Sequence, residues 1–577
     1  MSLILGLHTG HEASAVLFDG ARLLAAISDE RLTRVKNDGG RLSDLAIDAV
    51  LGMAAHKRAD VERLALLWSF FPEEYFVRET WYKELERRFS RWRHKRRERP
   101  QMLLANFVER LRRRGKSFES HFLREKFLRR EGFTHAQADF FGHHDAHALA
   151  AAVYSGFGEC AVITMDGSGD VEENHTSGIY RSGRYERKHI SSAYGSSAGL
   201  FYSHITQLLG FRPLRHEGKV VGLAAMGDPA PLYAAFTSAL APSADGLSLT
   251  SDFVGQDQAE AKRYAYLRDA IKGHSRENVA AAAQKRLEDV ATALVRNFVS
   301  ECGQKRVALN GGVFANVKLN QRIAALAEVE SIFVFPAMSD TGNSIGAVLL
   351  EYAARAPELL RGWPALEHVY WGPQFGREEI AAELAKAGLP QNWLAEPALI
   401  DTAARSIHAG KVVGWFQGRM EFGPRALGNR SMLARPTDAS INDWLNQRLD
   451  RSEFMPFAPS VLAEHADALF EGVAKARHTA EFMTVTFDVR SEWRERIPAV
   501  VHVDGTARPQ LVRAATNPLY HKLISAYHAL SGIPLVLNTS FNVHEEPIVC
   551  APAEAVQAFV QKRVDALAIG NFWLSHF

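Results

Sequence analysis

At 577 residues, with 47% hydrophobic and 23% charged residues, the chain has an ordinary globular composition and is too long for one core, which predicts two or more domains. A net charge of +2 gives no argument for a polyanionic partner, and no apolar run approaches the roughly 20 residues of a membrane span. Cys160, Cys302 and Cys550 lie far apart in neither a metal nor a disulfide pattern, which fits a reducing cytoplasm.

The N-terminus has no basic stretch ahead of its apolar residues and reads as a strand over 3–7, not a signal peptide. A polar turn holding His11 leads to strands over 15–18 and 23–27. Residues 70–137 stand apart: Arg87-Arg88, the basic run 91–97 and Arg112-Arg113-Arg114 alternate with Trp, Phe and Leu at helical spacing. They suit either an anionic partner or, since the whole chain is not basic, a helical insertion with solvated basic faces.

Next comes Gly142-His143-His144-Asp145-Ala146-His147. On a helix, His143 and His147 share one face a turn apart, a metal-ligand spacing. Oxygen donors are available at Asp166 and Asp340, each after an apolar strand-like run and before glycine, where a chain leaves a sheet. A helix cap with two turn acids would give the same pattern. A strand over 160–165, a turn at Asp166–Gly169 and a strand over 177–180 repeat the N-terminal design. A helix over 290–299 precedes the turn Asn310-Gly311-Gly312. Two such units predict a duplicated α/β fold with a cleft between its halves.

Pro357, Gly362-Trp363-Pro364 and Gly372-Pro373 mark a boundary near 360–375. Helices are expected over 378–387, 399–408 and 554–561, a strand over 412–416 and a closing strand over 566–569. Arg419, Arg425 and Arg430 fall among glycine and proline in the segment 418–431, followed by Arg448, Arg451 and Arg508. Arginines on rigid loops suit phosphate oxygens; ordinary turns with surface arginines are the alternative. The run 536–542 ends a buried strand in a polar loop, a plausible nucleotide or oxyanion cradle. There is no GxxxxGK[ST] and no HExxH, which excludes P-loop and zincin chemistry.

On these segments the chain resembles the NodU/CmcH family of ATP-dependent O-carbamoyltransferases. The resemblance is carried by Gly10-His11-Glu12-Ala13-Ser14-Ala15, Glu30-Arg31-Leu32-Thr33-Arg34, His143 to Ala148, Gly218 to Ala224, Gly311-Gly312-Val313, Pro456-Phe457-Ala458-Pro459 and His502 to Arg508. Its most specific parts are Glu421-Phe422-Gly423-Pro424-Arg425-Ala426-Leu427-Gly428 and Leu537-Asn538-Thr539-Ser540-Phe541-Asn542. The insertion and much of 228–290 lie outside it.

The resemblance implies a metal-binding, actin-like ATPase (ribonuclease H-like) domain over 1–365 and a YrdC-like domain over 366–577. The second would convert carbamoyl phosphate and ATP, with Mg, to carbamoyl adenylate. The first would pass the carbamoyl group to a hydroxyl of a small metabolite in the cytoplasm. It also implies site residues: His143, His147, Asp166 and Asp340 around a divalent metal (iron, zinc or manganese), and His11, Arg425, Arg508 and Ser540 in catalysis. Substrate or nucleotide contacts would fall to Lys36, Gly167, Lys219, Gly311, Gly312, Asn316, Arg419, Arg430, Arg448, Arg451, Asn538 and Asn542. Neither a membrane nor a nucleic acid is an expected partner, and a homodimer is permitted. The chain departs from the family's Lys-x-Arg-Glu-x-Phe-Arg-Pro pattern at 449–455, where Arg451 survives but the lysine and the second arginine do not. A fused tRNA threonylcarbamoyl-transfer enzyme and a non-enzymatic actin-like regulator are the rival readings.

Overall fold

The computed structural model describes residues 2–67, 71–76, 122–449, 457–543 and 545–577. Most of the basic insertion, and Arg451 with most of the departing stretch, lie outside the described residues. The chain forms a mixed α/β architecture of three large sheets.

The first sheet joins β1 (Leu3–His8), β2 (Ser14–Asp19), β3 (Arg22–Ser28), β4 (Arg63–Leu67) and β5 (Gln137–Phe141) in the order β3-β2-β1-β4-β5. The second joins β6 (Glu159–Met165), β7 (Glu173–Arg181), β8 (Arg184–Ser192), β9 (Arg306–Asn310) and β10 (Ser331–Val334) in the order β8-β7-β6-β9-β10. In both, the first three strands form an antiparallel meander and the last two add in parallel on the other side of the first strand. The duplicated α/β topology expected from the sequence is therefore present strand for strand.

Two helices fill the space between these sheets. Helix α1 (His143–Tyr154) follows the first sheet yet packs on β6 and β9 of the second; α2 (Asn343–Arg355) follows the second sheet yet packs on β1 and β4 of the first. They meet through small residues. A Cβ on Gly346 would lie 2.1 Å from the Ala146 carbonyl oxygen, so only glycine permits this approach. The expected helix over 290–299 is the end of a 27-residue helix, Arg276–Cys302, started by a Ser275 cap and ended by Gly303 at φ 70°.

The C-terminal half is built on a seven-stranded sheet of β11 (Val413–Phe416), β12 (Arg430–Ala434), β13 (Ala458–Leu462), β14 (Gln510–Val512), β15 (Leu535–Ser540), β16 (Ala566–Ile569) and β17 (Phe572–Ser575), ordered β14-β13-β15-β12-β11-β16-β17. β16 does not close the sheet as expected: Gly570-Asn571 turns the chain into the antiparallel edge strand β17. Among the described residues no helix is long and apolar enough to cross a membrane.

Candidate active site

His143 is the first residue of α1, one position past the Gly142 that follows β5, and His147 lies one turn on, with the ring centroids 4.8 Å apart. Asp166 is the first residue beyond β6. Asp340 opens the single turn Asp340–Gly342 that feeds α2. The inner helix thus carries its histidines to the edge where two chain segments leave the second sheet. His143 Nε2 is 3.2 Å from Asp166 Oδ2 and 3.3 Å from Asp340 Oδ1; for His147 Nε2 the distances are 3.2 and 3.4 Å. All four donors lie within 4.8 Å of one another. Two ligands each about 2.1 Å from one first-row ion, at tetrahedral to octahedral angles, sit about 3.0–3.4 Å apart, so this spacing fits a shared metal. Asp340 Oδ1 is buried and makes no hydrogen bond, which leaves it available to a cation. Around the cluster, Asp170 accepts from the His143 amide at 2.7 Å, while His144 is spent on Thr164 and the Glu173 carbonyl.

The other oxygen of Asp340 faces two further histidines. His11 Nδ1 is 3.1 Å and His8 Nε2 3.6 Å from Asp340 Oδ2. His8 ends β1 and is buried. Burial lowers its pKa to about 4, so the ring is neutral, and its Nε2–H donates to the His11 carbonyl at 3.1 Å. The His11 side chain is 51% exposed, so the acid holds one ring edge and leaves the rest accessible. Desolvation pulls its pKa down, but Asp340, Glu12 and Asp166 outweigh this and raise it. Burial likewise opposes the charge on His143, yet Asp340 and Asp166 hold its pKa up at about 10. Burial would raise Asp340, but His143 and His11 bring it down to about 2. Without a metal, ring protons balance the two carboxylates; a bound cation takes their place.

A second set of sequence-distant segments converges in the C-terminal half. Asn538 Nδ2 donates to the Ala426 carbonyl at 3.1 Å and to Ser460 Oγ at 2.9 Å; Ser460 donates to Gln510 Oε1 at 2.7 Å, and Gln510 Nε2 donates to the Leu427 carbonyl at 2.7 Å. This buried hub ties together the neighbours of Arg425, Arg508 and Ser540. The Arg425 loop is closed at its neck by Glu421, whose Oε1 accepts from the amides of Leu427, Asn429 and Arg430 at 2.8, 2.7 and 3.2 Å. Both arginine loops are fastened to the first half. Arg31 donates to the Gly423 carbonyl at 2.8 Å, a Cβ on Gly423 would lie 3.6 Å from that of Ala337, and Lys318 pairs with Asp504 at 2.7 Å.

Other residues expected to touch substrate are occupied by the protein. Arg430 is fully buried over the Phe416 ring, its donors on the carbonyls of Gln417, Gly418, Asn429 and Pro373. Arg419 donates to Leu24, Trp371 and Gly372 carbonyls, and so straps the halves together. Arg448 stacks on Trp444 and pairs with Asp565 at 2.9 Å. Asn538 belongs to the hub, Asn542 bonds the carbonyls of Val543 and Glu546, and Asn316 caps the helix Val317–Ala324. All six thus spend side-chain donors or acceptors on protein contacts. Gly167 donates to Asp166 Oδ1 at 2.7 Å, Gly311 and Gly312 lie against Met165 and Asp166, and Lys36 offers its carbonyl to Arg215. Lys219 is buried on the helix Glu217–Ala224. Sequence reasoning missed His8, Asn343, Glu421 and the Ser460–Gln510 pair. Glu421 lies in a recognised motif, but nothing in the spacing marks a strand-end histidine or a helix-start asparagine.

Two family models match, Carbamoyltransferase N-terminus over residues 3–349 and Carbamoyltransferase C-terminus over residues 404–576. The chain belongs to the carbamoyltransferase family. It is 33% identical to the nodulation protein NolNO of Sinorhizobium fredii over 97% of this chain and 78% of that protein. It is 28% identical to the 3'-hydroxymethylcephem-O-carbamoyltransferase of Amycolatopsis lactamdurans over 62% of this chain and 65% of that enzyme. Among solved structures, Acidaminococcus fermentans (R)-2-hydroxyglutaryl-CoA dehydratase component A aligns at 14% identity and TM-score 0.33, over 62% of this chain and all of that one.

Proposed function

We propose that this carbamoyltransferase works in two steps, each in one half of the chain, and that its acceptor is a hydroxyl of a small metabolite. In the first step water cleaves carbamoyl phosphate to carbamate and phosphate, and the carbamate oxygen then bonds to the α-phosphorus of ATP as pyrophosphate leaves, giving carbamoyl adenylate. In the second the acceptor oxygen attacks the carbamoyl carbon, the bond to the adenylate phosphate breaks, and AMP leaves. The reading assigns an actin-like ATPase fold to the first half and a YrdC-like module to the second. The observation that carries it is the seating of the Arg425 loop on Pro336 and Ala337, three residues before Asp340. An intermediate made beside those arginines has a short path to the His–Asp cluster.

In the first step Arg425 and Arg508 bind and orient phosphate oxygens, with Ser540, the last residue of β15, as a further polar group. In the second, Asp340 fixes His11 through Nδ1, so that Nε2 takes the proton from the acceptor hydroxyl as its oxygen attacks. A metal held by His143, His147, Asp166 and Asp340 would supply electrophilic stabilisation of negative charge developing on the carbamoyl or phosphate oxygens. Pyrophosphate release from ATP, measured without acceptor, should require carbamoyl phosphate. Release that is absent, or indifferent to carbamoyl phosphate, in folded and metal-loaded protein would overturn the first step.

A further inference from the structure

We propose that Asn343 supplies a fifth protein donor, its side-chain Oδ1, to the ion held by His143, His147, Asp166 and Asp340; this rests on reading that cluster as a metal site. Asn343 is the first residue of α2, three positions after Asp340, and is completely buried. One terminal atom of its amide lies 3.1 Å from His147 Nε2 and 3.5 Å from His143 Nδ1. The first distance is the spacing of two ligands on one ion, matching the 3.2–3.4 Å between the histidine nitrogens and the aspartate oxygens.

The orientation of that amide is informative. Facing the cluster is Nδ2, a donor. The cost is that Oδ1 is buried with no hydrogen-bond partner. Turning the amide by 180° puts Oδ1 among the other donors and satisfies it. A cation among these donors would attract Oδ1 and repel Nδ2, and so would favour the turned amide.

Five protein donors, three of them oxygen, leave one position of an octahedron for a substrate oxygen. Such a set suits manganese or ferrous iron better than tetrahedral zinc. A carboxylate at 343 would keep the oxygen and add charge, whereas alanine would remove the donor and still favour the helix.

The decisive experiment is competition with a chromophoric chelator for Mn(II) and Zn(II), run on the full-length wild type, Asn343→Ala and Asn343→Asp, together with visible absorption of the cobalt-loaded proteins. Asn343→Ala should lose about 10- to 100-fold in Mn(II) affinity and less for Zn(II), and its cobalt bands should intensify as coordination number falls. Asn343→Asp should hold Mn(II) at least as well as wild type. Equal or tighter Mn(II) binding by Asn343→Ala would overturn the proposal and make the amide a competitor of the ion. Should Asn343→Ala fail to fold, loss of Mn(II) affinity in a folded Asn343→Asp would overturn it instead. A wild type that binds neither ion would remove the metal reading itself.

Discussion

Glu421 offers the sharpest test of how the arginine loop is held. One carboxylate oxygen takes three amide hydrogens, those of Leu427, Asn429 and Arg430, and the residue is 3% exposed. The loop it closes contains Gly423 at φ 121° and Gly428 at φ 100°, conformations with little steric support of their own. Replacing Glu421 by alanine orphans three buried donors at about 1–3 kcal/mol each, and partial repair by water brings the expected loss to about 3–5 kcal/mol. Glutamine keeps an acceptor and should cost about 1–2 kcal/mol. A chain of this size does not unfold in one step, so the readout must be local. Amide exchange at the three positions should accelerate about 100-fold or more in Glu421→Ala and about 10-fold in Glu421→Gln, with carbamoyl-phosphate-dependent pyrophosphate release falling in the same order. Wild-type exchange at these amides in Glu421→Ala would refute the clamp; altered exchange with undiminished pyrophosphate release would refute its tie to the first step.

Arg508→Ala should reduce pyrophosphate release at least about 100-fold while elemental analysis finds the metal content unchanged; release at the wild-type rate would strip Arg508 of its role. Gly311 sits at φ 100°, where an added Cβ would lie 2.2 Å from the Met165 carbonyl oxygen. Gly311→Ala must therefore move the end of β6 and displace Asp166, and undiminished metal affinity would contradict this. Glu545 joins Arg212, Arg215 and His216 of the first half, next to Lys36. Burial acts to raise its pKa, but His216 and Arg215 prevail and bring it to about 2. Because the folded value is depressed, its contribution is complete above the ordinary glutamate range near 4.5 and fades as pH falls toward 2. Acid-unfolding curves of wild type and Glu545→Gln should differ above about pH 4.5 and converge near pH 2; curves that coincide throughout would remove the clasp.

Periodicity and turn chemistry made most of the first half legible. Strands at 3–8, 14–19, 22–28 and 159–165 carry β-rich apolar runs between glycine turns, and their repetition announced the duplication. The His143–His147 spacing and the position of both acids at strand or turn starts were enough to gather the cluster. Side-chain use inside turns was not legible. Arg419 and Arg430 look like any loop arginine in a sequence, but what decides their use is the carbonyls their loops turn inward, a property of the folded backbone. Arg430 meets four of them and a phenyl face; the segments that create that cage, at 373 and 416–418, have no pattern that points to residue 430.

The same arithmetic of donors explains why the two halves are held so closely. If carbamoyl adenylate passes between the halves as proposed, its release to water would lose it to hydrolysis, so the two-step reading requires a short and fixed path. Arg31 on Gly423, Arg419 on Leu24, Lys318 on Asp504 and Arg34 on the carbonyls of Pro547 and Ile548 are four cationic straps, each joining the first half to a segment in or next to a motif of the C-terminal half. None of them reaches the cluster. They fix the distance between it and the arginine loops, which is why charges so far from the reacting atoms should still set how much of the intermediate is transferred.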